Sequence, residues 1–183
     1  MVATIQVGDG PSSIAINTHT NMIYVANMES NTVSVINGTT NSVVSTLHLC
    51  NLYGTNFAVD ESTNTIYLTC TGPQGEIAVI SGAENKVINT IDIGRDPNRL
   101  AFNPRTDMLY TANNGDGTVS VVSAQDNKLK DTIHVEPFPN FVAVNPVTNT
   151  VYVTADSYKN HTLSVISGVT DKILATIDVD IGA

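Results

Sequence analysis

Residues 102–122, FNPRTDMLYTANNGDGTVSVV, read as the end of one strand, a Pro-containing turn, a second strand, a Gly-rich hairpin and a third strand. Versions of this stretch recur along the whole chain. Tyr24, Tyr67, Tyr110 and Tyr152 set the register at spacings of 43, 43 and 42 residues, opening the runs YVAN, YLTC, YTAN and YVTA. Before each tyrosine comes IAIN, FAVD, LAFN or VAVN, and after it TVSVI, EIAVI, TVSVV or TLSVI. A turn then leads to STLHL, NTIDI, DTIHV or ATIDV. Each unit therefore holds four short strands and no helix.

A period of 40–45 residues carrying four strands is the signature of a propeller blade. One blade has two apolar faces and cannot cover both alone, so repetition is obligatory. The expected fold is all-β, a β-propeller of four-stranded antiparallel blades with four repeats present. The chain reads as a single domain over residues 1–183, with blades at about 8–49, 50–93, 94–135 and 136–179.

Local details agree with that reading. Ala15, Ala58, Ala101 and Ala143 occupy one column of the innermost strand, where blades converge and room is least. Their neighbours are large and apolar: Ile14 and Ile16, Phe57 and Val59, Leu100 and Phe102, Val142 and Val144. The first turns, NTHTN, DESTN, NPRTD and NPVTN, open and close on Asn or Asp. Gly115 and Gly117 suit the positive φ of a tight hairpin. In the outer strand, His48, Asp92, His134 and Asp178 share a column expected to face solvent. One count does not balance, because residues 4–7 (TIQV) repeat the outer-strand pattern a fifth time. Residues 1–7 are therefore expected to form an additional outer strand, belonging to a longer array or pairing with another copy.

Composition excludes several functions. The formal charge is −9 with 8 basic residues and no basic cluster, which argues against nucleic-acid binding through phosphates. No apolar run approaches the length of a membrane span, so membrane insertion is not expected. The N-terminus has neither the basic nor the apolar region of a signal peptide. Cys50 and Cys70 fit no metal-site spacing; a disulfide between them and two buried free thiols both remain open.

The YVAN, YLTC, YTAN and YVTA runs, the Pro-containing lead-ins at Gly10-Pro11 and Asp96-Pro97, and the TVSVI strand resemble the YVTN family of β-propeller repeats. The second repeat departs from it, with Leu52-Tyr53-Gly54-Thr55-Asn56 replacing the lead-in and Cys70 replacing Asn. The resemblance implies a propeller of commonly seven blades, exported or at the cell surface. It does not imply one reaction, since lactonases, lyases and redox-subunit scaffolds share such blades.

Residues kept from repeat to repeat serve the scaffold, so function is sought where repeats differ. Loops joining outer to next inner strand, and second to third strand, lie on one face at the channel mouth. That face carries Tyr53, Asn56, Arg95, Arg99, Asn114, Asp116, Asp156, Tyr158, Lys159 and His161. Ser13, Asn56, Arg99 and Phe141 are matched positions at the start of the inner strand. Of these, Tyr53, Asn56, Arg95, Arg99, Asn114, Asp116, Asp156 and His161 are the candidate ligand-binding set, taking a protein or a small ligand. Self-association through exposed blade edges is a further expectation. No catalytic residue, cofactor or metal site is assigned. Two alternatives stand beside the binding scaffold: a propeller-type lyase or lactonase using Asp116, Asp156 and His161, and a structural surface or filament subunit.

Overall fold

The computed structural model describes residues 3–72, 74–157 and 161–179. Among the described residues, sixteen strands form four antiparallel four-stranded sheets in sequential order, the arrangement of propeller blades. Blade 1 contains β1 (Pro11–Asn17), β2 (Met22–Asn27), β3 (Thr32–Asn37) and β4 (Ser42–His48). Blade 2 contains β5 (Phe57–Asp60), β6 (Thr65–Cys70), β7 (Gly75–Ser81) and β8 (Lys86–Ile93). Blade 3 contains β9 (Pro97–Asn103), β10 (Met108–Asn113), β11 (Thr118–Ser123) and β12 (Lys128–His134). Blade 4 contains β13 (Pro139–Asn145), β14 (Thr150–Asp156), β15 (His161–Ser167) and β16 (Lys172–Asp178). Among the described residues no helix is long and apolar enough to cross a membrane.

Residues 3–7 belong to none of the four sheets. An outer strand must pair with the third strand of a blade, and β3, β7, β11 and β15 already pair with β4, β8, β12 and β16. Among the described residues, the expected additional strand at residues 4–7 is not part of any of the four sheets.

Each repeated tyrosine lies opposite the small residue of the inner strand, in the pairs Ala15–Tyr24, Ala58–Tyr67, Ala101–Tyr110 and Ala143–Tyr152. The missing side-chain bulk of alanine lets the ring lie over the inner strand and reach the next blade. Three cores result, one per blade junction. Tyr24, Val33 and Val35 pack on Phe57, Ile66 and Leu68. Tyr67, Ile77 and Val79 pack on Leu100, Leu109 and Val122. Tyr110, Val119 and Val121 pack on Val142, Val151 and Ile166. Tyr24, Tyr67 and Tyr110 are 0–1% exposed, whereas Tyr152, on the last of the described blades, is 36% exposed.

Polar columns lock the junctions as well. Asn17 Nδ2 donates to Asn64 Oδ1 across the first junction, and Asn103 Nδ2 to Asn149 Oδ1 across the third, both at 2.8 Å. The acceptors close the first turn of the next blade with φ of 53° and 51°, a left-handed conformation that Asn tolerates better than most side chains. At the second junction Asp60 replaces the asparagine, and its carboxylate instead accepts from Ser62 Oγ and Thr63 Oγ1 at 2.6 Å. Burial pushes the Asp60 carboxyl up, but the Ser62 and Thr63 hydrogen bonds outweigh it and hold it below the usual range.

The last residue of the YVAN-type run also has a role. Asn27 Nδ2 donates to Thr32 Oγ1 and Ser34 Oγ, and Asn113 Nδ2 to Thr118 Oγ1 and Ser120 Oγ, tying each hairpin to the third strand. In blade 2 that column holds Cys70, which forms a disulfide with Cys50. The bond clamps the lead-in to β6, where the Pro-containing pattern is lost and β5 is only four residues long. Leu52, fully buried, joins the core between blades 1 and 2, against which Cys50 also packs. Closing a loop of this length stabilises by about 3 kcal/mol. His48, Asp92, His134 and Asp178 are all exposed, as the outer-strand column requires.

Burial drives the Tyr67 and Tyr110 phenols up to about 12 from an ordinary 10.0, with nearby carboxylates adding to the effect. A phenol held protonated longer in the folded state stabilises fully below the unfolded value and loses that contribution above it. Thermal stability should therefore decline steeply between about pH 10 and 12, followed by circular dichroism. Absorbance at 295 nm should show tyrosine ionisation arriving together with unfolding.

Candidate functional site

The lead-in segments and the second-to-third-strand hairpins meet on one face, as the repeat dictates. Cavities open among these segments, and two of them border the candidate residues at the lead-ins. One, of about 510 Å³, is lined by Asn114, Phe138, Asn140, Asp156, Ser157 and His161 at the junction of blades 3 and 4. The other, of about 370 Å³, lies between blades 2 and 3 and includes Tyr53, Asp96, Asn98 and, again, Asn114. Three of the candidate residues, Asn114, Asp156 and His161, thus share one cavity. Tyr53, 69% exposed, stands at the edge of its neighbour. Tyr158 and Lys159 lie outside the described residues.

Within the first cavity Asp156 and His161 face each other at the open end of β14 and β15, with His161 Nδ1 2.7 Å from Asp156 Oδ1. Asn114 anchors blade 3 to blade 4, its Nδ2 donating to the Pro139 carbonyl at 3.2 Å. Asn98 Nδ2 donates to Asn140 Oδ1 at 2.7 Å, a second polar tie across the same junction. The walls combine amides, a carboxylate, an imidazole and an aromatic ring, a set suited to hydrogen bonding and stacking with a polar ligand.

Arg99 and Phe141 on β9 and β13, and Asn56 just before β5, occupy equivalent positions in three successive blades, and the fold brings them into a row. The Arg99 guanidinium carbon lies 4.9 Å from the centre of the Phe141 ring, within cation–π range. Arg99 Nη1 donates to Asn56 Oδ1 at 3.2 Å in the amide orientation that also lets Asn56 Nδ2 donate to the Leu100 and Phe57 carbonyls. The row links blades 2, 3 and 4 along the channel wall.

Arg95 and Asp116 are committed to each other. Arg95 Nε donates to Asp116 Oδ1 and its backbone N–H to Asp116 Oδ2, both at 2.7 Å, while Nη2 donates to the Gly115 carbonyl. Backbone and side-chain hydrogen bonds from Arg95 hold the Asp116 carboxyl below the usual range. The pair closes the blade 3 lead-in onto its own hairpin. Gly117 takes the expected positive φ of 64°, but Gly115 does not. At Gly115 the constraint is space, since a Cβ would lie 2.7 Å from Asp96 Oδ2.

Sequence comparison of loops missed Phe138, Asn98 and Asn140. Phe138 has a φ of 60°, and the equivalent positions before Pro11 and Pro97 are Gly10 at 66° and Asp96 at 48°. A bulky aromatic in that conformation is strained, and strain of this kind clusters at binding sites. The column Gly10, Asp96, Phe138 was the available signal. Among the described residues no group of three His, Cys, Asp or Glu side chains is placed to hold a metal. His19 lies on the opposite face, paired with Glu61 at 3.1 Å.

Four radially packed four-stranded sheets define a β-propeller. The chain is similar to hydrazine synthase from Kuenenia stuttgartiensis (TM-score 0.84, 15% identity, 96% of this chain and 51% of that one). It is also similar to the dihydro-heme d1 dehydrogenase NirN solved in complex with DHE (TM-score 0.76, 10% identity, 96% and 39%). The chain thus spans about half or less of these neighbours, and at such identity the likeness shows the fold alone. No family model and no curated protein matches the sequence.

The Phe138→Gly substitution should relieve the backbone and raise stability in urea by up to about 1 kcal/mol. A clear loss of stability would show that packing of the ring outweighs the strain.

Proposed function

We propose that the chain is a non-catalytic binding scaffold of the YVTN-repeat kind, acting outside the cytoplasm and taking a ligand or protein partner at its channel-mouth face. The observation that carries this reading is convergence. Asn114, Asp156 and His161, which break the repeat, line one cavity together with the strained Phe138. Its volume of about 510 Å³ suits a small ligand or the tip of a partner's loop. The Cys50–Cys70 disulfide supports an oxidising compartment, where such bonds persist.

A ligand for this cavity would offer hydrogen-bonding groups to Asn114 and Asp156 and a flat face to Phe138. The test is an NMR screen of small polar aromatic and sugar fragments against the labelled chain. Binders should shift the amides of Asn114, Asn140, Asp156 and His161, and Phe138→Gly should weaken them at least tenfold. Shifts confined to the opposite face, around His19 and Glu61, would contradict the proposal.

A second reading, a propeller-type lyase or lactonase, is favoured by the Asp156–His161 pair, a carboxylate orienting an imidazole in a cavity. Turnover of a lactone panel that disappears in His161→Gln would establish it. Turnover unaffected by that change would remove it.

A further inference from the structure

The two terminal blade faces are built as interior faces. On blade 4 the side chains equivalent to Tyr24, Val33, Val35 and Leu47 are Tyr152, Leu163, Val165 and Ile177, an apolar set like those buried at every junction. On blade 1, Ile14 and Ile16 hold the places of Phe57 and Val59, Leu100 and Phe102, and Val142 and Val144. Yet Ile14 is 64% and Ile177 49% exposed, where their interior counterparts are at most 9% exposed. A repeat face that stands in solvent is ordinarily polar, and neither of these two faces is.

The two faces are also complementary in polarity and register. Asn145 on blade 4 matches Asn17 and Asn103, the donors across junctions. Its Oδ1 accepts from the Val147 and Thr148 amides of its own turn, as Asn17 and Asn103 Oδ1 accept from theirs. Asn21 on blade 1, with φ of 55°, matches the acceptors Asn64 and Asn149.

We propose that a second copy of this chain docks on both ends, blade 4 of each on blade 1 of the other, closing a ring of eight blades. The contact continues the three junctions within the chain, with Asn145 Nδ2 donating to Asn21 Oδ1 of the second copy. Head-to-tail contacts either close or polymerise. Two copies give eight blades, the upper end of the usual range for propellers, whereas three would give twelve. The junction is a blade face rather than a strand edge. It also sets the second copy's lead-in beside the Asp156–His161 hairpin, walling the first cavity as residues 96–98 wall the second.

The test is the solution mass of the wild-type chain by light scattering at tens of micromolar. A mass near twice 19.4 kDa is expected. Ile16→Glu and Tyr152→Glu should each abolish the dimer, and mixing the two should restore a one-to-one complex through the single intact junction. Circular dichroism establishes that both variants are folded. Asn145→Asp, at a half-buried turn position, should weaken dimerisation about tenfold without changing the fold. A monomeric wild type overturns the proposal. So do open polymers, dimers that survive both glutamate substitutions, or an Asn145→Asp variant that dimerises as tightly as wild type.

Discussion

The structure depends on one constraint: a four-stranded blade has two apolar faces and can solvate neither. The chain meets it with a tyrosine on each second strand that crosses the junction and buries its ring against the following blade. Large aromatic side chains contribute the most apolar area per residue, so one such ring dominates each junction. Tyr24, Tyr67 and Tyr110 lose their surface in this way and Tyr152 does not. The alanine opposite each ring, the apolar pair on the next inner strand and the raised tyrosine pKa values all follow from the same packing.

The polar residues set register where the apolar ones only supply area. Asparagine donors on inner strands meet left-handed asparagines in the next blade, so a slipped junction would leave buried amides unpaired. Blade 2 shows what happens when the pattern lapses. It loses the Pro lead-in and the YVAN asparagine together, and the Cys50–Cys70 bond with buried Leu52 holds the same segment in place. The scaffold therefore tolerates change at the channel mouth, provided the lead-in stays tied down.

Much of the fold was legible because packing repeats with the sequence. Tyrosine spacing gave blade number and strand order, and the turn asparagines marked the boundaries. Residues 4–7 repeat the outer-strand pattern, but such a pattern records which face is apolar and does not say where a partner strand lies. Cys50 and Cys70 stayed ambiguous because a bond requires backbone proximity that spacing does not reveal. The site was legible only in part. Asn114, Asp156 and His161 stood out as breaks in the repeat and do converge. Arg95 and Asp116 stood out equally but satisfy each other across a loop, and no column of aligned residues discloses that pairing. Phe138 was overlooked because the column it shares with Gly10 and Asp96 marks only its place before a Pro, whereas strain is a property of φ.

The most direct test of the central claim compares the same substitution at two equivalent positions. Tyr110→Ala and Tyr152→Ala remove the same ring from the same place in a blade, one at a covered junction and one at an open end. Urea unfolding at a protein concentration low enough to keep the chain monomeric should show Tyr110→Ala costing about 3–5 kcal/mol. Tyr152→Ala should cost less than half as much. Equal losses at the two positions would contradict the account, showing that the ring stabilises its own blade rather than the junction.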